Sequence, residues 1–399
     1  MTSSDTAACH NTSSADRAPF VKLADPAGYV AFPWDLSTER ELREHWVGFF
    51  RRHFDTILEL GVAAAVARGE SSEQARRRAA ECRAVVMARF DAFEADPPSF
   101  GRVSMFTFDA WRDGALREHG FTDAFIDQKD RTNADALPLL GRVCRELDGL
   151  DGEAQLQAAI RGIFAGNIFD AGSEATAAAT IAGRSDFFAV RAGLPPRPWL
   201  VDDYDSLAAR LLPGRPHRKA IFFIDNAGSD FVLGAVPLAR YLARRGTRVV
   251  LAANELPSLN DMTADDVRRW WPRLTAAEPS LAALPIEVVS TGTGEPLIDL
   301  SAVSAELNAA AADADLVILE GMGRAVESNF NARFTCDVLK IAMIKDTMAA
   351  RLIGGKLYDL VCRWEAPDGC TTRPGGPAAS RLTCSTLARE RLGDRRTIR

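Results

Sequence analysis

The chain predicts an α/β protein with a doubly wound, mainly parallel sheet behind a helical N-terminal region, and two observations carry that expectation. From about residue 38 to 195, apolar residues recur at spacings of three and four with few strand signals. From Arg197 the text changes. Short apolar runs alternate with helical stretches, at Ala220–Ile224, Arg248–Ala252, Ile286–Val289, Leu316–Leu319, Leu339–Ile344 and Lys356–Cys362. These runs show little apolar/polar alternation, which is how parallel strands covered by helices on both faces read. Such a sheet is Rossmann-like. The expected division is a tail over 1–18, a helical region over 19–195, an α/β domain over 196–365 and a linker with a tail over 366–399.

Each element has a local reason. The first 18 residues are rich in Ser and Thr and lack the apolar core of a secretory signal. Thr38 and Glu41 have capping-box spacing, and Leu42, Trp46, Phe49, Phe50, His53 and Phe54 then mark one face of a long helix. Further helices are expected at 72–95, where Arg76, Arg77 and Arg78 form a solvated face, and at 134–149, with Pro97 and Pro98 between them. The string Phe164-Ala165-Gly166-Asn167-Ile168-Phe169-Asp170 ends apolar text in Gly, Asn and Asp. It reads either as a helix-terminal turn or as a polar loop reaching a site. Beyond Trp364, Pro367, Pro374, Gly375, Gly376 and Pro377 announce a linker.

Composition narrows the function. The 399 residues are 47% hydrophobic and 26% charged with a net charge of −6, which suits a globular protein and gives no basis for a nucleic-acid or membrane partner. Seven scattered cysteines without a CxxC argue against a disulfide framework or a structural zinc site, so a cytoplasmic location is expected. The five histidines are dispersed. His45 and His53 are read as helix-surface residues. A small molecule is the expected partner, with self-association left open.

In an open α/β sheet, ligands sit beyond the carboxyl ends of the strands. The candidate strand ends there carry Asp225-Asn226-Ala227-Gly228, Asn254 through Asn260-Asp261, and Glu320-Gly321-Met322-Gly323-Arg324. Asp225, Asn226 and Asp261 are hard oxygen ligands suited to Mg²⁺ or Mn²⁺, although a strand-end Asp or Asn can also simply cap the next helix. Gly228 permits close backbone approach, and a helix starting near Ser229 would offer N–H groups to a phosphate. Ser290-Thr291-Gly292-Thr293-Gly294 is either a donor-rich loop or a plain turn, and it has neither the Lys of a P-loop nor a dinucleotide fingerprint. Lys345, at the C-terminal end of Ile341–Ile344, and Arg324 are placed to reach a phosphoryl group. The ion-pair alternative stands for Arg324.

Taken in order, these strings resemble the domain-of-unknown-function 89 family, in the branch that contains 4′-phosphopantetheine phosphatases and the phosphatase domain attached to pantothenate kinase 4 homologues. They are Gly166-Asn167-Ile168-Phe169-Asp170, Arg197 through Tyr204, Asp225 through Asp230, Leu259-Asn260-Asp261, Glu320 through Val326, and Leu339 through Lys345. The resemblance spans about residues 99 to 365 and implies a helical region packed on an α/β phosphatase domain. It also implies a divalent metal (Mn²⁺, Ni²⁺, Co²⁺ or Mg²⁺) on Asp225, Asn226 and Asp261, with Asp225, Asp261 and Lys345 in the catalytic roles. Asn167, Asp170, Gly228, Asn260, Glu320, Gly321, Arg324 and Asn329 are then the substrate and phosphate contacts.

Departures from the family pattern bear on substrate. Ala227, Glu255-Leu256 and Glu327-Ser328-Asn329-Phe330 differ from the residues expected there, and Glu255 and Glu327 would repel a polyanion unless they meet a cation. The expected reaction is hydrolysis of a phosphate monoester such as 4′-phosphopantetheine or a damaged metabolite. The alternatives are other metal chemistry on a small carboxylated substrate, or a binding protein that has lost turnover.

Overall fold

The computed structural model describes residues 17–168 and 186–367, and residues up to Pro367 belong to one compact unit. Five helices open it: α1 Arg40–Ala67, α2 Ser72–Ala95, α3 Met105–Glu118, α4 Ile126–Asp148 and α5 Gly152–Asn167. The first is amphipathic as expected, burying Leu42, Trp46, Phe49, Phe50 and Phe54; His53, read as a surface residue, is buried as well and stacks on the Phe49 ring. Its start differs from the capping-box reading. Glu39 occupies the N-cap position without a side-chain bond, and Thr38 Oγ1 instead donates to the Asp35 carbonyl. The Asp35 carboxylate holds the entry by accepting from Ser37 and Val103 N–H groups. The second helix begins at its expected residue because Ser71 accepts from Gln74 N–H at 3.2 Å. Arg76 and Arg77 are exposed, whereas Arg78 turns inward to Glu70, the His119 carbonyl and the Phe121 ring.

Seven strands form one sheet: β1 Val201–Asp202, β2 Lys219–Phe223, β3 Arg248–Ala253, β4 Ile286–Ser290, β5 Leu316–Glu320, β6 Asp337–Met343 and β7 Leu360–Glu365. Their order is β1-β7-β6-β5-β2-β3-β4, and every pair is parallel except β6 with β7. All six expected runs contain a strand, but the last was placed four residues early: Lys356–Asp359 form a turn and the strand is Leu360–Glu365. The two-residue β1 was not foreseen, being too short to show a period. The central strands β2 and β5 are buried throughout, but the edge strand β4 is only half covered.

The sheet has a core on each face. One holds Leu140, Ile160, Ile163 and Phe164 from α4 and α5 against Phe222, Leu251 and Ile318. The other packs Phe20 and Leu23 of the N-terminal strap with Ile221, Phe223, Val250 and Leu319. A third apolar cluster joins α1, α2 and α3, and Leu259 and Leu297 from loops at the sheet's carboxyl edge are part of it. The helical region thus holds those loops in place. Among the described residues Cys82, Cys144, Cys336 and Cys362 are free thiols in the core. None of the described helices is long and apolar enough to cross a membrane.

Candidate active site

Chain order reverses between β2 and β5: from β2 the chain winds outward through β3 and β4, and from β5 through β6. That gap is the switch point at which open α/β sheets bind ligands. Strand β2 delivers Asp225 and Asn226 there, β5 delivers Glu320 and Gly321, and the loop after β3 delivers Asn254 and Asp261. An isolated bridge pairs Asn226 with Asp261, and Met262 N–H donates to the Asp225 carbonyl at 3.0 Å, which locks the two segments side by side.

The sequence suggested a regular helix near Ser229. The chain instead enters a wide π-type turn over Asp230–Ala235 before the α-helix Val236–Arg244, and a second π-type turn, Met322–Ser328, follows β5. Such turns are common at functional sites because they re-aim side chains within a helix. Here the first aims Asp230 back toward Asn226 and the second aims Arg324 into the gap. Leu259, held at φ 48° by its packing among the helices, gives the bend before Asn260-Asp261.

The resulting cluster is closed. Asp225 is 7% exposed, and Asn226, Asp230, Asn254, Asp261, Glu320, Arg324, Asn167 and Lys345 are each 2% or less. Arg324 bridges the two predicted ligand carboxylates: Nη1 meets Asp225 Oδ1, and Nη2 meets Asp261 Oδ2 at 2.8 Å and Asn254 Oδ1 at 3.1 Å. Asn226 Nδ2 donates to Asp225 Oδ2 at 2.8 Å and to Asp230 Oδ2 at 3.0 Å. Asn167 Nδ2, from the end of α5, donates to the same two oxygens at 3.0 Å each. Lys345 Nζ donates to the Asn167 carbonyl at 2.7 Å.

Charge is unbalanced here. Asp225, Asp230, Asp261 and Glu320 face two cations, Arg324 and Lys345. Burial pushes the Asp225 carboxyl well up despite Arg324, and burial together with Asp230 and Asp225 does the same to Glu320. Four acids against two bases leave room for a divalent cation, and the set of hard oxygen donors suits Mg²⁺ or Mn²⁺. Among the described residues no group of three or more His, Cys, Asp or Glu side chains is arranged to hold a metal, so the proposed ligand set depends on its third member being Asn226.

The Asn260 carbonyl accepts from Ala227 N–H. Gly228, at φ 80°, donates its N–H to Asn133 Oδ1 at 2.6 Å and lets Thr132 of α4 approach, so its open space is filled by protein. Asn329 is turned away from the cluster: its Nδ2 donates to the Ile298 and Arg324 carbonyls, and its Oδ1 accepts from Tyr29. Asp170 lies outside the described residues. The hydroxyls of Ser290, Thr291 and Thr293 are spent within their own loop, which is the turn reading of that string. Asp230 was given no role in sequence, and Asn254 was named only as part of its strand end. Asp230 sits inside a quoted string, and only the π-type turn reveals its direction.

Gly321 has φ 92° and ψ 154°, a region open essentially to glycine, and a Cβ there would overlap the Asp225 carboxylate. Gly321→Ala is therefore expected to cost ~3 kcal/mol or more, from backbone strain and overpacking together. Urea unfolding reads the loss.

The family model for the damage-control phosphatase ARMT1-like domain matches residues 62–361. The chain belongs to that family. It is 43% identical over 257 residues to damage-control phosphatase At2g17340 of Arabidopsis thaliana, covering 63% of this chain and 70% of the relative. It is also 30% identical to the 4′-phosphopantetheine phosphatase of Mus musculus, covering 86% of this chain and 48% of that protein. The chain spans less than half the length of several curated relatives it matches. A crystal structure of a DUF89 family protein from Pyrococcus horikoshii shares the fold at TM-score 0.56 and 18% identity, covering 79% of this chain and 96% of that one.

Proposed function

We propose that this phosphatase-family protein is a divalent-metal-dependent hydrolase of a small-metabolite phosphate monoester, with 4′-phosphopantetheine or a related or damaged metabolite as substrate. The observation that carries the reading is the buried, acid-rich cluster at the switch point, in which four carboxylates face two cations. Asp225, Asp261 and the Asn226 amide oxygen would hold the ion, since Asn226 commits its Nδ2 to Asp225 and Asp230. A bound divalent ion supplies charge neutralisation at the phosphoryl group. Lys345 adds fixed positive charge next to Asp225 and Asp230, and Arg324, which here holds Asp225 and Asp261, has the planar geometry to contact phosphoryl oxygens when those carboxylates ligate an ion. Asn167 and Asn226 keep the Asp225 carboxylate oriented, whether it attacks phosphorus or only ligates.

The 4′-phosphopantetheine phosphatase among the relatives favours that ester as substrate. The test is phosphate release from a monoester panel containing 4′-phosphopantetheine, assayed with Mn²⁺, Mg²⁺, Co²⁺ and Ni²⁺ and again after EDTA. Release that EDTA abolishes is expected. Tight metal binding without release from any ester would favour the alternative of other chemistry on the same scaffold.

A further inference from the structure

A second buried polar group approaches this site from the helical region. Asp109 and Asp113 lie one turn apart on α3 with Arg112 between them, and all three are 6% exposed or less. Arg112 Nη1 donates to Asp109 Oδ1 at 2.9 Å, and its Nε and Nη2 donate to Asp113 at 2.6 and 2.9 Å. Its Nη2 also reaches Ser258 Oγ at 2.7 Å, and the Ser258 carbonyl accepts from Asp261 N–H at 3.2 Å. The α3 network is thus tied directly to the loop that carries a predicted metal ligand.

Within it, Asp113 is saturated and Asp109 is not. Asp109 Oδ2 is buried with no hydrogen-bond partner among the described residues. A buried unpartnered oxygen costs ~1–3 kcal/mol, so a fold that retains one invites a functional reason. The groups acting on Asp109 are Arg112 and Asp113 on its own helix, Glu295 on the loop after β4 and Asp261 on the loop after β3. Asp109 therefore lies within electrostatic reach of the two loops that bound the cluster. Burial pushes its carboxyl up to about 7 against the pull of Arg112, with Asp113, Glu295 and Asp261 adding to the rise, so it can carry a proton near neutrality.

Resting on the proposed phosphatase reading, we propose that Asp109 is the proton donor to the departing alcohol, with Arg112 holding its Oδ1 so that Oδ2 faces the leaving oxygen. The ester P–O bond breaks with its electron pair passing to the alcohol oxygen, which takes the Asp109 proton. Water supplies the new P–O bond, and the proton it loses returns through solvent to the Asp109 carboxylate, giving the free alcohol and hydrogen phosphate. An alkoxide is a poor leaving group and needs that proton, whereas p-nitrophenolate does not.

The test compares wild type and Asp109→Asn, both full length and Mn²⁺-loaded, on 4′-phosphopantetheine and on p-nitrophenyl phosphate. The expected result is a fall of ~100-fold or more in kcat for the alkyl ester and less than ~5-fold for the aryl ester, in the range general acids contribute. The decline of alkyl-ester kcat as pH rises through about 7 should disappear in the variant. Equal losses on both esters, or none on either, would overturn the assignment. A leaving-group series on the wild type does not depend on the variant folding: a nearly flat dependence on alcohol acidity supports the donor, and a steep one overturns it. Absence of turnover by the wild type on any ester would instead defeat the phosphatase reading, and this assignment with it.

Discussion

Asp261→Asn is expected to fold as the wild type does while losing at least about 100-fold in Mn²⁺ affinity and in turnover, because an anionic ligand becomes neutral at almost unchanged volume. In sequence, Asp261 had a second reading as a helix cap. The structure gives that task to other residues: Thr263 caps Ala264–Ala277, accepting from Asp266 N–H at 3.0 Å while the Asp266 carboxylate accepts from Thr263 N–H at 3.2 Å. The Asp261 side chain instead takes Arg324 at 2.8 Å and Asn254 at 3.3 Å. When Asp261 becomes neutral, Arg324 keeps Asp225, Asn254 and the Pro296 carbonyl as partners, which limits the folding cost. A thermal melt, a calorimetric Mn²⁺ titration and phosphate release decide the matter together. An active, metal-replete Asp261→Asn would remove Asp261 from the site.

Arg324→Met should be the most damaging single change to the metal-free protein. The guanidinium touches both the Asp225 and the Asp261 carboxylates, and it also donates to the Pro296 carbonyl. Removing one partner of a buried charged network leaves the others uncompensated and costs ~3–5 kcal/mol. Arg324→Lys keeps the charge but cannot span two carboxylates with a planar fork, so it should recover only part of that loss. Added Mn²⁺ should stabilise Arg324→Met more than wild type, since the ion then meets carboxylates with no competing cation. Urea unfolding with and without Mn²⁺ measures both effects. Unchanged stability in the metal-free variant would show that the bridge carries no energy.

Much of the fold was readable because its signals are local. The burial of β2 and β5 on both faces leaves near-continuous apolar runs, and α2 begins where Ser71 can cap it. Elements with weak local signals were harder: β1 is two residues long, and the start of α1 is set by Asp35 and Val103, which are far apart in sequence.

For the candidate site, the residue types at the strand ends were legible, since Asp225, Asn226, Asp261, Glu320 and Arg324 all follow apolar runs. Their geometry was not. That Arg324 lies between Asp225 and Asp261, that Asp230 turns back to Asn226, and that Asn329 turns outward to Tyr29 all depend on π-type turns, which have no sequence period of their own. Asp109 was invisible for a different reason. On paper it is one acid among the polar residues of a helix, and only the docking of α3 against the loops after β3 and β4 buries it and leaves Oδ2 without a partner. The layers of the fold and the candidate oxygen ligands were legible in the chain alone, because hydrophobic period and strand-end polarity are encoded over a few neighbouring residues. Which charges share a buried space, and which are compensated, came from the packing, because burial and Coulomb energy depend on groups brought together from distant parts of the chain.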